Sequence, residues 1–152
     1  MKRIIISVVA IIAFMAVAPN AHAIGVYGQW WDTDAAGDGF GIGVKQKVFG
    51  IPMLKIDARA TWVNFDDSKL DAIPLEATAN LGGLIYGGVG LGYYILNTDN
   101  FDVENQWGAS IQLGVEFAPV KFGGFAEVRY TWLDSSSYLD GYAVNLGVIW
   151  NF

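Results

Sequence analysis

The chain has 152 residues, a formal net charge of −6 and a pI near 4.5, with 53% hydrophobic but only 16% charged residues and 19 glycines. That balance is too apolar for a disordered segment and too sparsely charged for an ordinary water-facing surface. The acidic excess offers no cationic surface to displace phosphate counterions, which argues against a nucleic-acid partner. The lack of cysteine excludes disulfides, thiolate metal sites and thiol catalysis.

Residues 1–23 read as a removable export signal. Lys2 and Arg3 form a basic head, residues 4–18 are apolar apart from Ser7, and Pro19 and Asn20 break the run. Ala21, His22 and Ala23 then supply a small-x-small site, so cleavage is expected after Ala23 and the mature domain comprises residues 24–152. The apolar run is shorter than the roughly 20 residues a spanning helix needs. No later stretch is long and apolar enough either, so any membrane integration must use strands.

From there the dominant period is two, the mark of strands with chemically different faces. A weaker opening segment covers residues 25–31. Next, Phe40, Ile42, Val44 and Val48 oppose Gly41, Gly43, Lys45 and Lys47. The clearest segment sets Leu54, Ile56, Ala58, Ala60 and Trp62 against Lys55, Asp57, Arg59 and Thr61. The fourth sets Ile73, Leu75, Ala77, Ala79 and Leu81 against Glu76, Thr78 and Asn80. In the fifth, Ile85, Val89, Leu91, Tyr93 and Ile95 oppose Gly88, Gly90 and Gly92. The sixth alternates from Trp107 to Phe117 with Gln112 and Glu116 on its polar side, and the seventh sets Val128, Tyr130 and Trp132 against Glu127, Arg129 and Thr131. The last runs Tyr142, Val144, Leu146, Val148, Trp150, Phe152.

Connector lengths alternate. Residues 50–52, 82–83 and 118–120 are tight, whereas residues 32–38, 66–71, 97–106 and 134–141 are longer and polar. Short turns on one rim and longer loops on the other suit an outer-membrane barrel. Every charge falls in a long loop or on a polar strand face, as lipid exposure requires, since Arg or Lys facing mid-bilayer costs about 2–4 kcal/mol. A soluble lipocalin-like carrier shows the same alternation with the greasy face turned inward. Glycines on the polar face and aromatic residues near the segment ends favour the outward direction.

The terminal segment, ending in Phe152 and preceded at alternate positions by Trp150, Val148, Leu146, Val144 and Tyr142, is similar to the C-terminal signal read by the outer-membrane assembly machinery. With it, the mature chain resembles the small eight-stranded outer-membrane barrels of the OmpA and OmpX type. The resemblance implies an all-β, eight-stranded, antiparallel up-and-down transmembrane barrel in the bacterial outer membrane. Its implied contacts are membrane lipid, lipopolysaccharide and, through Tyr142, Trp150 and Phe152, the assembly machinery; a monomer is expected.

An eight-stranded barrel is just wide enough to be filled by its own side chains. The expected lumen network comprises Lys45, Lys47, Lys55, Asp57, Arg59, Glu76, Glu116, Lys121, Glu127 and Arg129. A turn at residues 50–52 would set Lys45 across from Asp57, and a turn near Pro119 would set Glu116 beside Lys121. Such a cluster reads as a static salt-bridge plug or, alternatively, as a narrow porin-like path for small solutes.

No enzyme is expected. The single histidine, His22, leaves with the signal, removing the usual general base. No cofactor or metal site is expected either. Residues 32–39 begin like a calcium loop, but Ala36 occupies the fifth ligand position and Gly43 the twelfth. The expected role is therefore structural or in surface interaction through the loops.

Overall fold

The computed structural model describes residues 23–98, 104–134 and 139–152. Of the expected export signal, 1–23, the residues through His22 lie outside the described residues, as do the loop acids Asp99 and Asp102; Ala23, expected as its last residue, is the first residue described. Eight strands follow in chain order: β1 (Ala23–Thr33), β2 (Gly37–Ile51), β3 (Leu54–Phe65), β4 (Leu70–Gly82), β5 (Ile85–Thr98), β6 (Gln106–Phe117), β7 (Phe122–Leu133) and β8 (Gly141–Asn151). Each pairs antiparallel with its sequence neighbours, and β1 pairs with β8, closing the barrel. Closure leaves no strand edge, so the backbone ladders are completed within the barrel and need no water.

Period two becomes two faces. Along β1 buried residues alternate with exposed or half-buried ones, and β8 repeats the pattern over most of its length. The outward set includes Phe40, Ile42, Leu91, Leu113 and Leu146, each more than three-fifths exposed. Charged residues of the strand centres point inward, where Arg59 is fully buried. The direction of the alternation is thus oily outside and ionised inside.

Two expectations about connections are corrected. The segment expected as a loop at 32–38 is a turn of residues 34–36 only. Asp32 and Asp38 pair across β1 and β2, and Asp71 lies in β4, accepting a 2.9 Å hydrogen bond from Asn64. Strands of 11–15 residues run past the apolar band into a polar zone, so the first aspartate does not mark a strand end. The 34–36 turn is fixed by the Thr33 hydroxyl, which accepts from Ala36 N at 3.0 Å and donates to the Gly37 carbonyl at 3.1 Å.

The expected register also changes. The β2–β3 turn centres on Pro52 and Met53, with Met53 in the left-handed region at φ 71°, and a bulge interrupts β2 between Lys47 and Phe49. Lys45 therefore faces Arg59, not Asp57; Lys47 takes the place opposite Asp57. Glu116 lies opposite Phe125, and Lys121 sits exposed in the turn at 118–121, outside the lumen. Proline at 119 lengthens that turn beyond a tight hairpin and carries Lys121 past the ladder.

Candidate functional site

The lumen is layered along the barrel axis. At its centre, Arg59 of β3 reaches across to Glu127 of β7 in a two-pronged pair, with Nη1 to Oε1 at 2.6 Å and Nη2 to Oε2 at 2.8 Å. Glu127 also accepts from Tyr86 Oη at 2.7 Å, Asn145 Nδ2 at 3.0 Å and Arg129 Nη2 at 3.4 Å. Its oxygens are thereby saturated, which is what a carboxylate out of water requires. Arg129 donates in turn to Glu76 and, at 2.9 Å, to Gln112; Glu76 accepts from Tyr94 Oη at 2.8 Å. Gln112 donates to Asn80, and Asn80 donates to Asp57 at 3.0 Å. One connected network thus joins five charged residues from β3, β4 and β7 through amides and phenols.

Toward the turn end, Glu116 of β6 holds Lys45 at 3.1 Å and Lys55 at 2.7 Å. The Lys45 ammonium also lies 3.5 Å from the centroid of the Phe125 ring, a favourable cation–π contact in a dry site. Lys45, Lys47, Asp57 and Glu116 line a recess of about 10 Å³, on the scale of a single water. Toward the loop end the lining turns apolar: Trp31, Val63, Phe65, Leu70, Tyr94, Leu96, Leu133 and Leu139 pack as one buried cluster. Nine of the ten residues expected in the network face the lumen; Lys121 does not.

The inward aromatics Tyr27, Trp31, Phe65, Tyr86, Tyr94 and Phe125 were not among the expected lumen residues. Their sequence signal is the glycines, which stand where those rings need room. A Cβ on Gly114 would lie 2.6 Å from the Tyr86 ring and hydroxyl, and one on Gly108 would lie 2.7 Å from Tyr94. Gly114→Ala should therefore push Tyr86 off Glu127 and cost about 1–3 kcal/mol by overpacking, read as a lower denaturation midpoint in detergent.

The three positions implicated in assembly lie on the outer wall. Tyr142 packs edge-on against Tyr130 at 4.6 Å between centroids, and Trp150 contacts both Phe122 at 6.2 Å and Phe152 at 5.7 Å. Together with Tyr93–Trp107 and Tyr130–Trp132, these pairs form aromatic patches near both ends of the apolar band.

No family model and no curated protein sequence matches the chain. Among solved structures, the barrel is similar to Neisserial surface protein A (TM-score 0.65, 15% identity, covering 86% of this chain and 95% of that one). It is also similar to the N-terminal β-barrel domain of Pseudomonas aeruginosa OprF (0.59, 15%, 87% and 98%) and to the outer membrane protein OprG of the same organism (0.59, 16%, 87% and 96%). With its closed ring of eight strands, oily wall and filled interior, the chain has the fold of the small eight-stranded outer-membrane β-barrels.

Proposed function

We propose that this protein is a non-enzymatic outer-membrane β-barrel whose lumen serves as a structural plug and whose acidic loop end is the surface offered for interaction. The observation that carries the reading is the filled bore. The Arg59–Glu127–Arg129–Glu76 belt crosses the centre, and the apolar cluster around Trp31 and Tyr94 covers it on the loop side. An ion entering from the turn end would have to break the belt and then pass the packed apolar cluster around Trp31 and Tyr94. The outer-membrane location is supported by the direction of the alternation and by the likeness to outer-membrane barrels. The non-enzymatic reading is supported by a barrel sequence without histidine.

In planar lipid bilayers, the refolded protein should insert without producing stable unitary currents. Reproducible single-channel openings would replace the plug with the solute-channel reading. Whether the barrel inserts at all is read independently, from a faster-migrating unboiled band on a gel after reconstitution.

A further inference from the structure

One position breaks the apolar outer wall. A ladder row runs from Trp150 of β8 through Ile24, Gln46, Ala58, Ala77, Leu91 and Ala109 to Trp132 of β7. Strand tilt carries this row up the barrel from an aromatic patch at the turn end to another at the loop end, so Gln46 lies inside the hydrocarbon band. Its neighbours on the outward face of β2 are Val44 and Val48, whereas Lys45 and Lys47 face the lumen. Among the described residues it is the one polar side chain, rings aside, on the outward face between the two polar ends.

Gln46 is only 4% exposed, yet its side-chain amide has no hydrogen-bond partner among the described residues. An amide carries two donors and an acceptor, and hydrocarbon satisfies none of them. The wall beside it is built from small groups. Ala58 lies opposite both Gln46 and Ala77, Ala60 is fully buried although it faces outward, and Ala79 lies opposite Ile56. These alanines on β3 and β4 present methyl groups between larger exposed side chains, Ile42 on β2 and Val89 and Leu91 on β5.

We propose that the β2–β4 wall is the interface of a twofold dimer of this chain within the membrane, in place of the monomer expected from the sequence, with the two Gln46 amides hydrogen-bonded to each other. The proposal rests on the membrane-spanning reading above. A twofold axis sets one patch against its own copy, so each amide donates to the carbonyl of the other, and the alanine methyls let the two sheets approach closely. A lipid ester at this depth can accept from the amide but offers no donor to its carbonyl, which favours a second copy. No charged side chain on this face opposes the approach.

The test mixes donor-labelled and acceptor-labelled barrels in phosphatidylcholine vesicles and reads energy transfer against the lipid-to-protein ratio. The labels are carried on Asp66→Cys, exposed at a loop tip, in a chain that has no other cysteine. The unaltered wall should give transfer above that of randomly placed barrels, and Q46L should weaken association about tenfold through loss of two hydrogen bonds in lipid. Leucine suits an apolar wall, so Q46L should keep the fold, shown by its faster-migrating unboiled band. A58L should also weaken association by holding the sheets apart, whereas A126L, outward on β7 across the barrel, should leave it unchanged. Without the label, Gln46→Cys should give a disulfide-linked dimer on oxidation and Ala126→Cys should not. Random transfer from the unaltered wall, transfer indifferent to Q46L, or no disulfide through Gln46→Cys overturns the proposal and leaves the amide to another partner. Failure of the unaltered barrel to insert would instead overturn the membrane-spanning reading.

Discussion

Replacing Arg59 with alanine should lower the unfolding free energy of the barrel by about 3–5 kcal/mol, because it leaves a buried carboxylate without its main counter-charge. Arg59 is wholly buried and gives Glu127 a two-pronged pair of hydrogen bonds, at 2.6 and 2.8 Å. Arg129 cannot take over, since its Nη1 is committed to Glu76 and its Nη2 to Gln112, with only a 3.4 Å approach to Glu127. Removing both charges, as Arg59→Leu with Glu127→Leu, should recover part of the loss because no ion is then left unpaired. It should not recover all of it, as Tyr86 and Asn145 lose an acceptor. Urea titration of the three proteins in lipid vesicles, followed by tryptophan fluorescence, checks the order; equal midpoints for wild type and Arg59→Ala would remove the belt from the account of stability.

Leu91→Arg should be nearly as damaging, for the opposite reason. Leu91 is at the middle of β5 and 68% exposed on the outer wall, so the new guanidinium would face hydrocarbon at a cost of about 2–4 kcal/mol. Met53→Arg, at the turn rim, should cost about 0–1 kcal/mol because the side chain reaches the interface. A soluble barrel with these exposures would tolerate both changes equally in water. The same vesicle titration therefore reports the solvent of the outer wall, and a neutral Leu91→Arg would contradict the membrane reading.

The faces of the strands were legible because alternation costs nothing to read: Leu54 to Trp62 and Glu127 to Arg129 fall where period two puts them. The pairings were less so. A turn centred on Pro52 and Met53 shifts the register away from Lys45 opposite Asp57, a bulge at Val48 takes back one residue to leave Lys45 opposite Arg59, and nothing in the residues around it announces where the extra residue is absorbed. Strand ends were also misplaced, since Asp32 and Asp38 look like loop residues yet pair in the ladder beyond the oily band. In the candidate site nine of the ten acids and bases named from charge face the lumen, Lys121 being carried out into a turn, while the rings were missed. Tyr27, Tyr86 and Tyr94 sit on the face that reads as polar, and only the matching glycines, such as Gly43 against Tyr27 and Gly114 against Tyr86, indicate that large groups occupy it.

Joining the first strand to the last has a consequence for how the molecule is made. From Ile24 opposite Trp150 to Thr33 opposite Gly141, β1 lies in register with β8, so the final seam joins the first strand of the barrel to its last. Local hairpins can form in any order, but the ring is unfinished until the C-terminal segment has been delivered. Until then two unsatisfied backbone rows are open to aggregation with other chains. Such a topology ties closure of the ring to the arrival of β8 and makes protection of those rows before closure a requirement of the design.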